Sequence, residues 1–587
     1  MDRCVVRNAL PPQVQSRADG STLIHCRQQL HAYPERLTDW LAHWAREVPS
    51  RVCVAQRGHD GGWRSLTYGE LHTQTRRIGE ALARRGLGPE RPIVILSGND
   101  LQHFTLAMAA LWVGVPWAAA SPAYALVSRD HAKLRHVADT LTPGLVFAAD
   151  ASYGVALDAA VGEDVEVVLG TGKLAGRATT PWETLLASGP SHAEQVAHSQ
   201  VGPSTLAKFL FTSGSTRVPK AVPHTHRMLC SNQQMIRQSF PFLAEEPPVL
   251  VDWPPWNHTF GGNHNIGIVL YNGGTLYIDG GRPTAEGMTE TLCNLREISP
   301  TFYFNVPKGF EELAPALEQD AVLRTRFFAR CRAWFYAGAG LSQAVWDRLD
   351  RVSTAVLGEP LAMVTGFGMT ETSPACTFAT RADLRAGHIG LPSPGVEVKL
   401  TPLGLKTELR FRGPNVMEGY WRSPELTHDV FDEEGFYRTG DAVRWVDDTD
   451  PQRGLLFDGR IAEDFKLSTG TWVSVGPLRE RIIQIGAPYV QDAVITAPNR
   501  DEIGMLLFPR MEECRRLARL EDAASKSDVL AAPTLVELLH RILQEIAAQS
   551  TGSATRVTRA AWFEIPPSID HGEVTDKGSI NQSAVLA

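Results

Sequence analysis

The sequence has few cysteines, and none of them forms a recognisable ligand or disulfide pattern. Eight are spread singly through 587 residues, at positions 4, 26, 53, 230, 293, 331, 376 and 514. No two have the spacing of a metal site, and their density is far below that of a disulfide-stapled domain. The sequence therefore predicts a chain without a disulfide framework, which suits a reducing cytoplasm.

Long apolar runs and an excess of basic residues are also missing. The most apolar stretch, Phe104 to Ala120, is shorter than the ~20 residues that a membrane-spanning helix needs. Gly114 and Pro116 divide it into a predicted buried helix and a predicted buried strand. The N-terminus lacks the apolar core of a signal peptide. The net charge of −8 gives no basic footprint for nucleic acid. We therefore expect no membrane segment, no nucleic-acid partner and a cytoplasmic location.

The length and the order of the predicted elements indicate the fold class. A chain of 587 residues is too long for one core. From Leu37 onward, predicted helices alternate with short apolar strands, which is typical of parallel sheets covered by helices. Residues 1–35 are polar and irregular and are expected to form a surface arm, whereas residues 390–445 suggest a small antiparallel β unit.

A change in composition after Gly459-Arg460 predicts a domain boundary. The following segment is charged and contains several glycines, and residues 461–587 hold enough strands and helix for a small α+β domain. The predicted fold is α/β. A large N-terminal domain (1–460) of helix-covered sheets plus a small β unit is hinged to a small, mobile α+β C-terminal domain (461–587).

A hydroxyl-rich loop after a buried strand is the clearest candidate binding element. Leu206 to Phe211, broken only by Lys208, predicts a strand, and the loop that follows ends at Pro219-Lys220. Its backbone N–H groups and hydroxyls could hold phosphate oxygens, with Gly214 allowing close approach and Lys220 adding charge. The loop differs from a Walker loop because its lysine follows a proline. The alternative is a polar surface turn.

Other predicted strand ends carry glycine, hydroxyl or carboxylate groups. One runs into Gly338-Ala339-Gly340, and another into Gly366-Phe367-Gly368-Met369-Thr370-Glu371. In open α/β sheets ligands bind at the carboxyl ends of strands. The segment Trp256-Asn-His258-Thr-Phe260 could form an aromatic wall for a planar ligand, although a lone histidine is more often structural.

Taken together, these segments resemble the adenylate-forming superfamily of acyl- and aryl-CoA synthetases, adenylation domains and luciferases. The resemblance runs from about residue 37 to the C-terminus. Residues 212–220 resemble its phosphate loop, residues 256–258 its aromatic and histidine segment, and residues 367–371 its Tyr-Gly-x-Thr-Glu motif. Thr439-Gly-Asp441 and Gly459-Arg460 resemble its ribose and hinge motifs, and Thr575-Asp-Lys577-Gly its catalytic-lysine segment. Residues 256–264, 335–342, 459–473 and 572–581 are most similar to bacterial feruloyl-CoA synthetases.

This resemblance implies an ATP-dependent ligase that activates an aromatic acid, a hydroxycinnamic acid such as ferulate, as acyl-AMP. Transfer to coenzyme A would then release AMP, with pyrophosphate leaving in the first step. The residues that it implies fall into three groups. They are Lys577, Thr370, Glu371 and His258 for catalysis, with Glu371 as the Mg²⁺ ligand; Thr212, Ser213, Gly214, Ser215, Thr216, Lys220, Gly338, Ala339, Gly340, Gly366, Phe367, Gly368, Asp441 and Arg460 for ATP and AMP; and Trp256, His258, Phe260 and Val364 for the acyl pocket.

The resemblance also implies a movement. Lys577 would bridge the acid and the α-phosphate during adenylation, and rotation of the C-terminal domain would then remove it so that coenzyme A can enter. Ala462 stands where many relatives have a charged hinge residue, so the hinge could lie at Glu463 or Asp464. Arg217 and Ala221 replace glycines of the phosphate loop, and Asp576 precedes Lys577 where glycine is frequent.

Several alternatives stay open at this point. The chain could activate another aryl acid or a fatty acid, or it could load a carrier protein in trans. A catalytically silent nucleotide-binding protein is a further alternative, which the presence of Glu371, Asp441, Arg460 and Lys577 disfavours. Homodimers are frequent in the superfamily, but the sequence shows no interface.

Overall fold

The computed structural model describes residues 10–189, 191–212, 218–284, 286–381, 383–498, 500–521, 523–575 and 580–587. Strands and α-helices are numbered separately along the chain. The strands are β1 Gln13–Ser16, β2 Thr22–His25, β3 Val52–Arg57, β4 Trp63–Thr67, β5 Ile93–Leu96, β6 Trp117–Ala119, β7 Leu145–Ala148, β8 Glu166–Leu169, β9 Thr180–Pro181, β10 Leu206–Thr212, β11 Lys220–Thr225, β12 Val249–Asp252, β13 Thr275–Ile278, β14 Phe302–Asn305, β15 Ala333–Tyr336, β16 Ala362–Gly368, β17 Ala375–Ala379, β18 His388–Pro392, β19 Glu397–Leu403, β20 Lys406–Arg412, β21 Tyr437–Trp445, β22 Leu455–Arg460, β23 Phe465–Lys466, β24 Trp472–Val473, β25 Val490–Thr496, β26 Ile503–Pro509 and β27 Val557–Trp562.

The α-helices cover the faces of the sheets. They are α1 Thr38–Glu47, α2 Tyr68–Ala83, α3 Leu101–Val113, α4 Pro122–Leu126, α5 Ala132–Leu141, α6 Gly154–Ala160, α7 Trp182–Leu186, α8 His192–Gln200, α9 His226–Ser239, α10 Ile266–Asn272, α11 Met288–Glu297, α12 Pro307–Gln319, α13 Ala321–Phe328, α14 Gln343–Leu357, α15 Pro424–Asp429, α16 Val475–Gly486, α17 Met511–Ala518, α18 Lys526–Leu530, α19 Pro533–Ala548 and α20 Gln582–Leu586.

The first sheet, sheet A, has the order β11-β10-β6-β5-β7-β8-β9. Its strands are parallel except for the antiparallel pair β10–β11. The predicted buried helix and strand are confirmed as α3 and β6, both of which are buried. Asp100 caps α3 by accepting a hydrogen bond from the His103 N–H, and Gly114 ends the helix at φ +71°. Sheet B has the order β12-β13-β3-β4, and helix α3 contacts both β3 of sheet B and β10 of sheet A.

Sheet C has the order β1-β2-β19-β20-β21-β22-β18-β17-β16-β15-β14. Strands β14, β15 and β16 are parallel, and the antiparallel strands continue from β17 onward. The predicted antiparallel unit is therefore an extension of a larger sheet. The expectation of an irregular arm is wrong for residues 13–25: β1 and β2 form a hairpin that pairs with β19, where the Ile24 side chain is completely buried.

The C-terminal part has its own sheet, β25-β26-β27, covered by α16 and α19. Its largest apolar cluster is drawn from residues 465–562, which include Leu478, Ile482, Leu507 and Ile542. Ion pairs nevertheless connect it to the rest of the chain. Arg510 lies 3.1 Å from Glu311 on α12, and Lys406 on β20 lies 3.3 Å from Asp464.

Two features of composition have structural counterparts in the described part of the chain. Its cysteines are all free thiols. None of its helices combines the length and the apolar character needed to cross a membrane.

Candidate nucleotide and acyl site

The predicted phosphate loop connects β10 to β11, at the edge of sheet A. Thr212 and Lys220 are cross-strand partners in the antiparallel ladder, so the two ends of the loop are held side by side. Ser213, Gly214, Ser215, Thr216 and Arg217 lie outside the described residues. The predicted strand before the loop is confirmed, and it places Thr212 and Lys220 together.

The predicted Thr370-Glu371 motif forms a tight turn directly after β16. A Cβ at Gly368 would lie 1.8 Å from the backbone oxygen of Pro374, so this turn closes only around a glycine. The backbone oxygen of Thr370 lies 2.8 Å from His224 Nε2 on β11, which donates to it. Burial lowers the pKa of His224 to about 3, so this imidazole is neutral at pH 7. The turn is thus fastened to the strand that follows the phosphate loop.

Tyr420 connects the two predicted phosphate elements, and sequence reasoning missed it. Its hydroxyl donates a 2.8 Å hydrogen bond to Glu371 Oε1, while Lys220 Nζ lies 5.0 Å from the centre of its ring. Burial and the neighbouring Glu371 raise the pKa of Tyr420, so the hydroxyl stays protonated and donates. The only sequence signal is Gly419-Tyr420-Trp421, a glycine followed by two aromatic residues.

Backbone hydrogen bonds hold the Tyr420 segment in place at both ends. The Met417 N–H donates to the Glu371 backbone oxygen at 2.9 Å. The Trp421 N–H donates to the Ala221 oxygen at 3.0 Å. Because one end is bound to the Glu371 turn and the other to β11, the distance between Lys220 and Glu371 is fixed by the fold.

Asp441 and Arg460, the predicted ribose and hinge residues, are cross-strand partners on β21 and β22. Arg460 Nε lies 3.8 Å from Asp441 Oδ1, and the arginine side chain is largely exposed. Burial raises the pKa of Asp441 to about 6, although Arg460 opposes this shift. The Asp441 N–H donates to Thr439 Oγ1 at 3.0 Å, which holds the backbone of Asp441 in place beside Arg460.

The predicted adenine residues lie in the turn after β15 and in the last three residues of β16. Gly338 has φ +88°, a conformation that favours glycine. A Cβ at Gly366 would lie 2.8 Å from the ring of Phe378, so the backbone there is in close contact with its neighbour. Gly340 faces the C-terminal domain, since Glu480 Oε1 would lie 3.1 Å from a Cβ at that position. Ala339 lies between the two glycines, and the Phe367 ring lies 5.8 Å from that of Phe457.

The residues predicted for the acyl pocket lie in two places, Phe260 and Val364 near Phe335 and Trp256 against α3. Phe260 begins a π-helical turn, Phe260–Asn265, and its ring lies 5.9 Å from Phe335, the neighbour of Val364 across β15 and β16. His264, which sequence reasoning missed, lies 4.9 Å from the same Phe335 ring. Phe304 completes this aromatic cluster. His258 is buried, and its Nε2 lies 3.4 Å from the amide nitrogen of Asn257.

Trp256 lies apart from that cluster, against α3. Its ring packs edge-on to His103 at 5.0 Å, and both residues line a cavity of about 20 Å³. Lys208 lines the same cavity and is completely buried, which explains why it interrupts an otherwise apolar strand without facing solvent. Lys208 Nζ donates to the Gly262 oxygen at 3.1 Å and lies 4.2 Å from the Trp117 ring centre. A cavity of this size admits one water-sized group and no aromatic acid.

The comparisons with known proteins decide the family. The model of the AMP-binding enzyme family matches residues 41–421. This chain belongs to that family. The match includes the phosphate loop, the Thr370-Glu371 turn and Tyr420, and it ends before Asp441.

Individual relatives of this AMP-binding enzyme are distant but extend over nearly its whole length. A 3-hydroxybenzoate–CoA ligase from Aromatoleum sp. is 24% identical over 517 residues, which cover 84% of this chain and 90% of the relative. The long-chain-fatty-acid–CoA ligase FadD15 of Mycobacterium bovis is 24% identical over 591 residues, covering 92% and 93%. The crystal structure of the anthranilate CoA ligase AuaEII with anthranoyl-AMP superposes with a TM-score of 0.71 at 17% identity, covering 95% and 97%. That likeness shows the fold, a large N-terminal α/β domain followed by a smaller C-terminal domain.

The predicted catalytic lysine of this AMP-binding enzyme, Lys577, lies outside the described residues, as does Asp576. The residues on either side of it are described. Val574 and Ile580 form an isolated antiparallel bridge, and the Asn581 N–H donates to the Glu573 oxygen at 2.8 Å. Residues 573–574 and 580–581, on the two sides of Lys577, are therefore hydrogen-bonded to each other.

The possible metal ligands of this AMP-binding enzyme, of which Glu371 is the predicted one, fit a cation that binds together with the nucleotide. Among the described residues, no group of three or more His, Cys, Asp or Glu side chains could hold a metal ion. Glu371 offers a single carboxylate that accepts from Tyr420. Mg²⁺ is commonly bound by one or two carboxylates together with substrate phosphates, so Glu371 fits Mg²⁺ carried by ATP better than a resident ion.

Proposed function

We propose that the protein is an ATP-dependent acid–thiol ligase that activates an aromatic acid as acyl-AMP and transfers the acyl group to coenzyme A. The single observation that carries the proposal is the connection of Lys220, Tyr420 and Glu371 at the end of β16. A cation beside the ring of a tyrosine whose hydroxyl donates to a carboxylate suits a polyphosphate with its Mg²⁺. The aromatic-acid–CoA ligases among the compared proteins support the same reaction class.

The chemistry explains why such a site is needed. A carboxylate is a poor acyl donor, because the group leaving it would be an oxide. Attack of the acid on the α-phosphorus of ATP forms a mixed anhydride and releases pyrophosphate, and the sulfur of coenzyme A then displaces AMP. The first step brings an anion to a polyanion, so catalysis depends on positioning and on electrostatic stabilisation.

The residues of this chain divide that work. Lys220 and the phosphate loop would hold the leaving pyrophosphate, and Thr370 would contact the α-phosphate from a turn that His224 fixes. Glu371 would hold Mg²⁺, which supplies positive charge to the phosphate oxygens when it is bound. Lys577 would bridge the acid and the α-phosphate. His258 is retained as a candidate for the acyl side of the reaction.

Asp441 and the glycine segments would hold the nucleoside. An ionised carboxylate can accept from both ribose hydroxyls, as acidic residues do in other nucleotide sites. Arg460 on the neighbouring strand keeps positive charge beside it. The backbone at Gly338 to Gly340 and Gly366, with the Phe367 ring, would face the adenine.

For the acid, we propose a hydroxycinnamate such as ferulate. The cluster of Phe260, His264, Phe304 and Phe335, with Val364 beside it, offers ring faces and edges suited to a planar substrate. Trp256 packs against His103 and lines a small cavity with it, so its part in the acyl pocket stays a proposal. A wall of aromatic side chains favours an aryl acid over a flexible aliphatic chain.

We also propose that domains 1–460 and 461–587 rotate about the segment that joins them. The turn Ile461–Glu463 follows β22, and Asp464 after it accepts from the Val475 N–H at 3.0 Å and pairs with Lys406. Asp464 thus contacts elements on both sides of the turn. These contacts favour a pivot at residues 461–463, with Asp464 as its C-terminal anchor.

A substrate panel tests the function. The full chain is incubated with ATP, Mg²⁺ and coenzyme A, and AMP release is followed for ferulate, coumarate, caffeate, benzoate and medium-chain fatty acids. The expected result is acid- and coenzyme-A-dependent AMP release that is fastest with a hydroxycinnamate. Thioester formation on a holo-carrier protein but not on coenzyme A would overturn the ligase assignment, and preference for fatty acids would overturn the aromatic one.

A further inference from the structure

The segment before Lys577 is fastened to the N-terminal domain by its own contacts. Asp570 Oδ1 accepts from Ser128 Oγ at 2.7 Å, and Asp570 Oδ2 accepts from the Arg129 N–H at 3.2 Å. Lys133 Nζ donates to the backbone oxygen of Ile569 at 2.6 Å. Residues 569 and 570 therefore form hydrogen bonds with the loop that precedes α5 and with the first turn of α5, through both side-chain and backbone atoms.

Apolar packing supports the same contact. The Ile569 side chain packs against a buried cluster of the N-terminal domain that contains Tyr124, Leu134 and Phe209. Phe209 belongs to β10, the strand that leads into the phosphate loop. A C-terminal residue thus contributes to the core behind the nucleotide site.

Residues 568–574 are held together by hydrogen bonds of their own. The contacts of Asp570 therefore also fix the position of the residues that follow it. Glu573 Oε2 accepts from the Ser568 N–H at 2.8 Å, and the Gly572 N–H donates to the Ile569 oxygen at 3.1 Å. Val574, which follows directly, is bridged to Ile580. In the sequence, Lys577 is separated from Val574 by two residues and from Ile580 by two. Fixing Asp570 therefore fixes both ends of the short chain that contains Lys577.

The surface that receives Asp570 also contacts the phosphate loop. His136, one turn after Lys133 on α5, donates from Nε2 to the backbone oxygen of Pro219 at 2.9 Å. Pro219 precedes Lys220 at the end of the loop. Helix α5 thus touches the C-terminal segment and the phosphate loop at the same time.

We propose that Asp570 is a clasp, a positioning residue that holds the C-terminal domain in the arrangement that serves adenylation. The clasp must open before the thioester step, because rotation of the domain carries residues 569–570 away from α5. This inference rests on the proposed function. It predicts that the clasp acts on one half-reaction and not on the other, since a bond present in only one pose shifts the equilibrium toward that pose.

Two substitutions and one matched control test the clasp in the full chain. Asp570→Ala removes both acceptors, and Asp570→Asn keeps one oxygen that can still accept from Ser128 or Arg129. Glu564→Gln is the control, because Glu564 is an exposed acidic residue six positions upstream. The first half-reaction is measured as acid-dependent exchange of labelled pyrophosphate into ATP. The second is measured as single-turnover conversion of preformed acyl-AMP to the coenzyme A thioester.

Asp570→Ala is expected to slow the exchange about tenfold, in line with the loss of a hydrogen bond to a charged group. The thioester step should be unchanged or faster, Asp570→Asn should be intermediate, and Glu564→Gln should match the unmodified chain. Equal losses in both half-reactions, or no loss in the first, would overturn the clasp. Absence of exchange in the unmodified chain with every acid of the panel would instead overturn the proposed function.

Hydrogen exchange gives a readout that is independent of turnover. The Arg129 amide is bonded to Asp570, so its exchange should accelerate in Asp570→Ala and remain slow in Glu564→Gln. Amides within β7, in sheet A behind α5 and α6, should exchange at the same rate in all variants, which excludes general unfolding. Equal exchange at Arg129 in the unmodified chain and in Asp570→Ala would show that the clasp does not form.

Discussion

At the scale of single residues, the proposed nucleotide site depends on side chains whose partners are far away in the chain. Tyr420 meets Glu371 and Lys220, and Asp441 meets Arg460. Each of these contacts combines burial with one specific polar partner. Small changes in a single group should therefore change the chemistry without unfolding the protein.

Tyr420→Phe tests the connection between the lysine and the carboxylate. The substitution keeps the ring beside Lys220 and removes the 2.8 Å hydrogen bond to Glu371. We expect pyrophosphate exchange to fall about tenfold or more, because a hydrogen bond to a charged group contributes roughly 1.5–3 kcal/mol. The matched control is Tyr271→Phe, which removes a buried 2.8 Å bond to Gln234 away from the site. Similar exchange rates in the two variants would contradict the role of Tyr420.

Asp441 predicts a pH dependence of nucleoside binding. Burial raises the pKa of its carboxyl to about 6, so the ionised acceptor is lost as the pH falls through that value. We expect adenosine, which has no phosphate to titrate, to bind more weakly at pH 5 than at pH 8, as measured by calorimetry. The loss with decreasing pH should disappear in Asp441→Asn. An unchanged pH profile in that variant would rule out Asp441 as the titrating group.

At the scale of elements, strand β10 carries two separate features, a loop at its end and a buried lysine in its middle. Its end leads into the predicted phosphate loop, and its middle carries a buried lysine that contacts the π-helical turn of residues 260–265. Burial lowers the pKa of Lys208 to about 7. The hydrogen bond to Gly262 and the contact with the Trp117 ring offset only part of the cost of removing an ammonium group from water.

Lys208→Met tests that cost through the pH dependence of stability. Between about pH 7 and 10.5 the unfolded chain keeps the Lys208 proton and the folded chain does not, so the free energy of unfolding rises with pH in that window. Below pH 7 the folded chain also carries the buried Lys208 charge, so the full cost of burying that charge lowers the free energy of unfolding. Relative to Lys208→Met, the unmodified protein should gain on the order of a few kcal/mol across the window. Urea unfolding at each pH measures it.

A lysine in a solvated position provides the control for that experiment. Lys173 lies exposed in a loop after β8, so Lys173→Met should follow the unmodified protein at every pH. If the difference between the unmodified protein and Lys208→Met does not change between pH 7 and 10.5, then Lys208 stays protonated in the folded state.

At the scale of the whole molecule, separate cores are connected by a few polar contacts. The largest C-terminal cluster is drawn from residues 465–562, whereas Arg510–Glu311, Lys406–Asp464 and Asp570–Ser128 connect the domains. Apolar cores resist opening, and ion pairs that are partly exposed contribute little stability. This distribution suits two rigid bodies that change their relative position.

Ile482→Ala tests the independence of the C-terminal core. The side chain is completely buried in the C-terminal cluster, so we expect a loss of about 2–5 kcal/mol. Hydrogen exchange should accelerate in β25 and β26 and remain slow in β14 and β15. Leu313→Ala, in a buried cluster around α12, should give the reverse pattern. Acceleration of both regions by either variant would mean that the two domains unfold as one.

The sequence by itself determined the elements that local patterns encode. The apolar runs at residues 93–96, 145–148 and 206–212 are strands, and the buried helix before Gly114 is α3. These follow from side-chain periodicity and from capping residues, which act within a few positions of the chain. The order of the motifs also indicated the family, whose model matches residues 41–421.

Tertiary structure decided which distant residues meet. Tyr420 lies 49 positions from Glu371, and Asp570 lies 442 positions from Ser128, so no local pattern relates them. The N-terminal segment looked irregular because β1 and β2 are short and gain their stability from pairing with β19. Trp256 and Phe260 are four residues apart, yet the ring of Trp256 lines a small cavity against α3 and the ring of Phe260 joins the aromatic cluster. Such outcomes depend on the packing of whole sheets, which sequence periodicity does not contain.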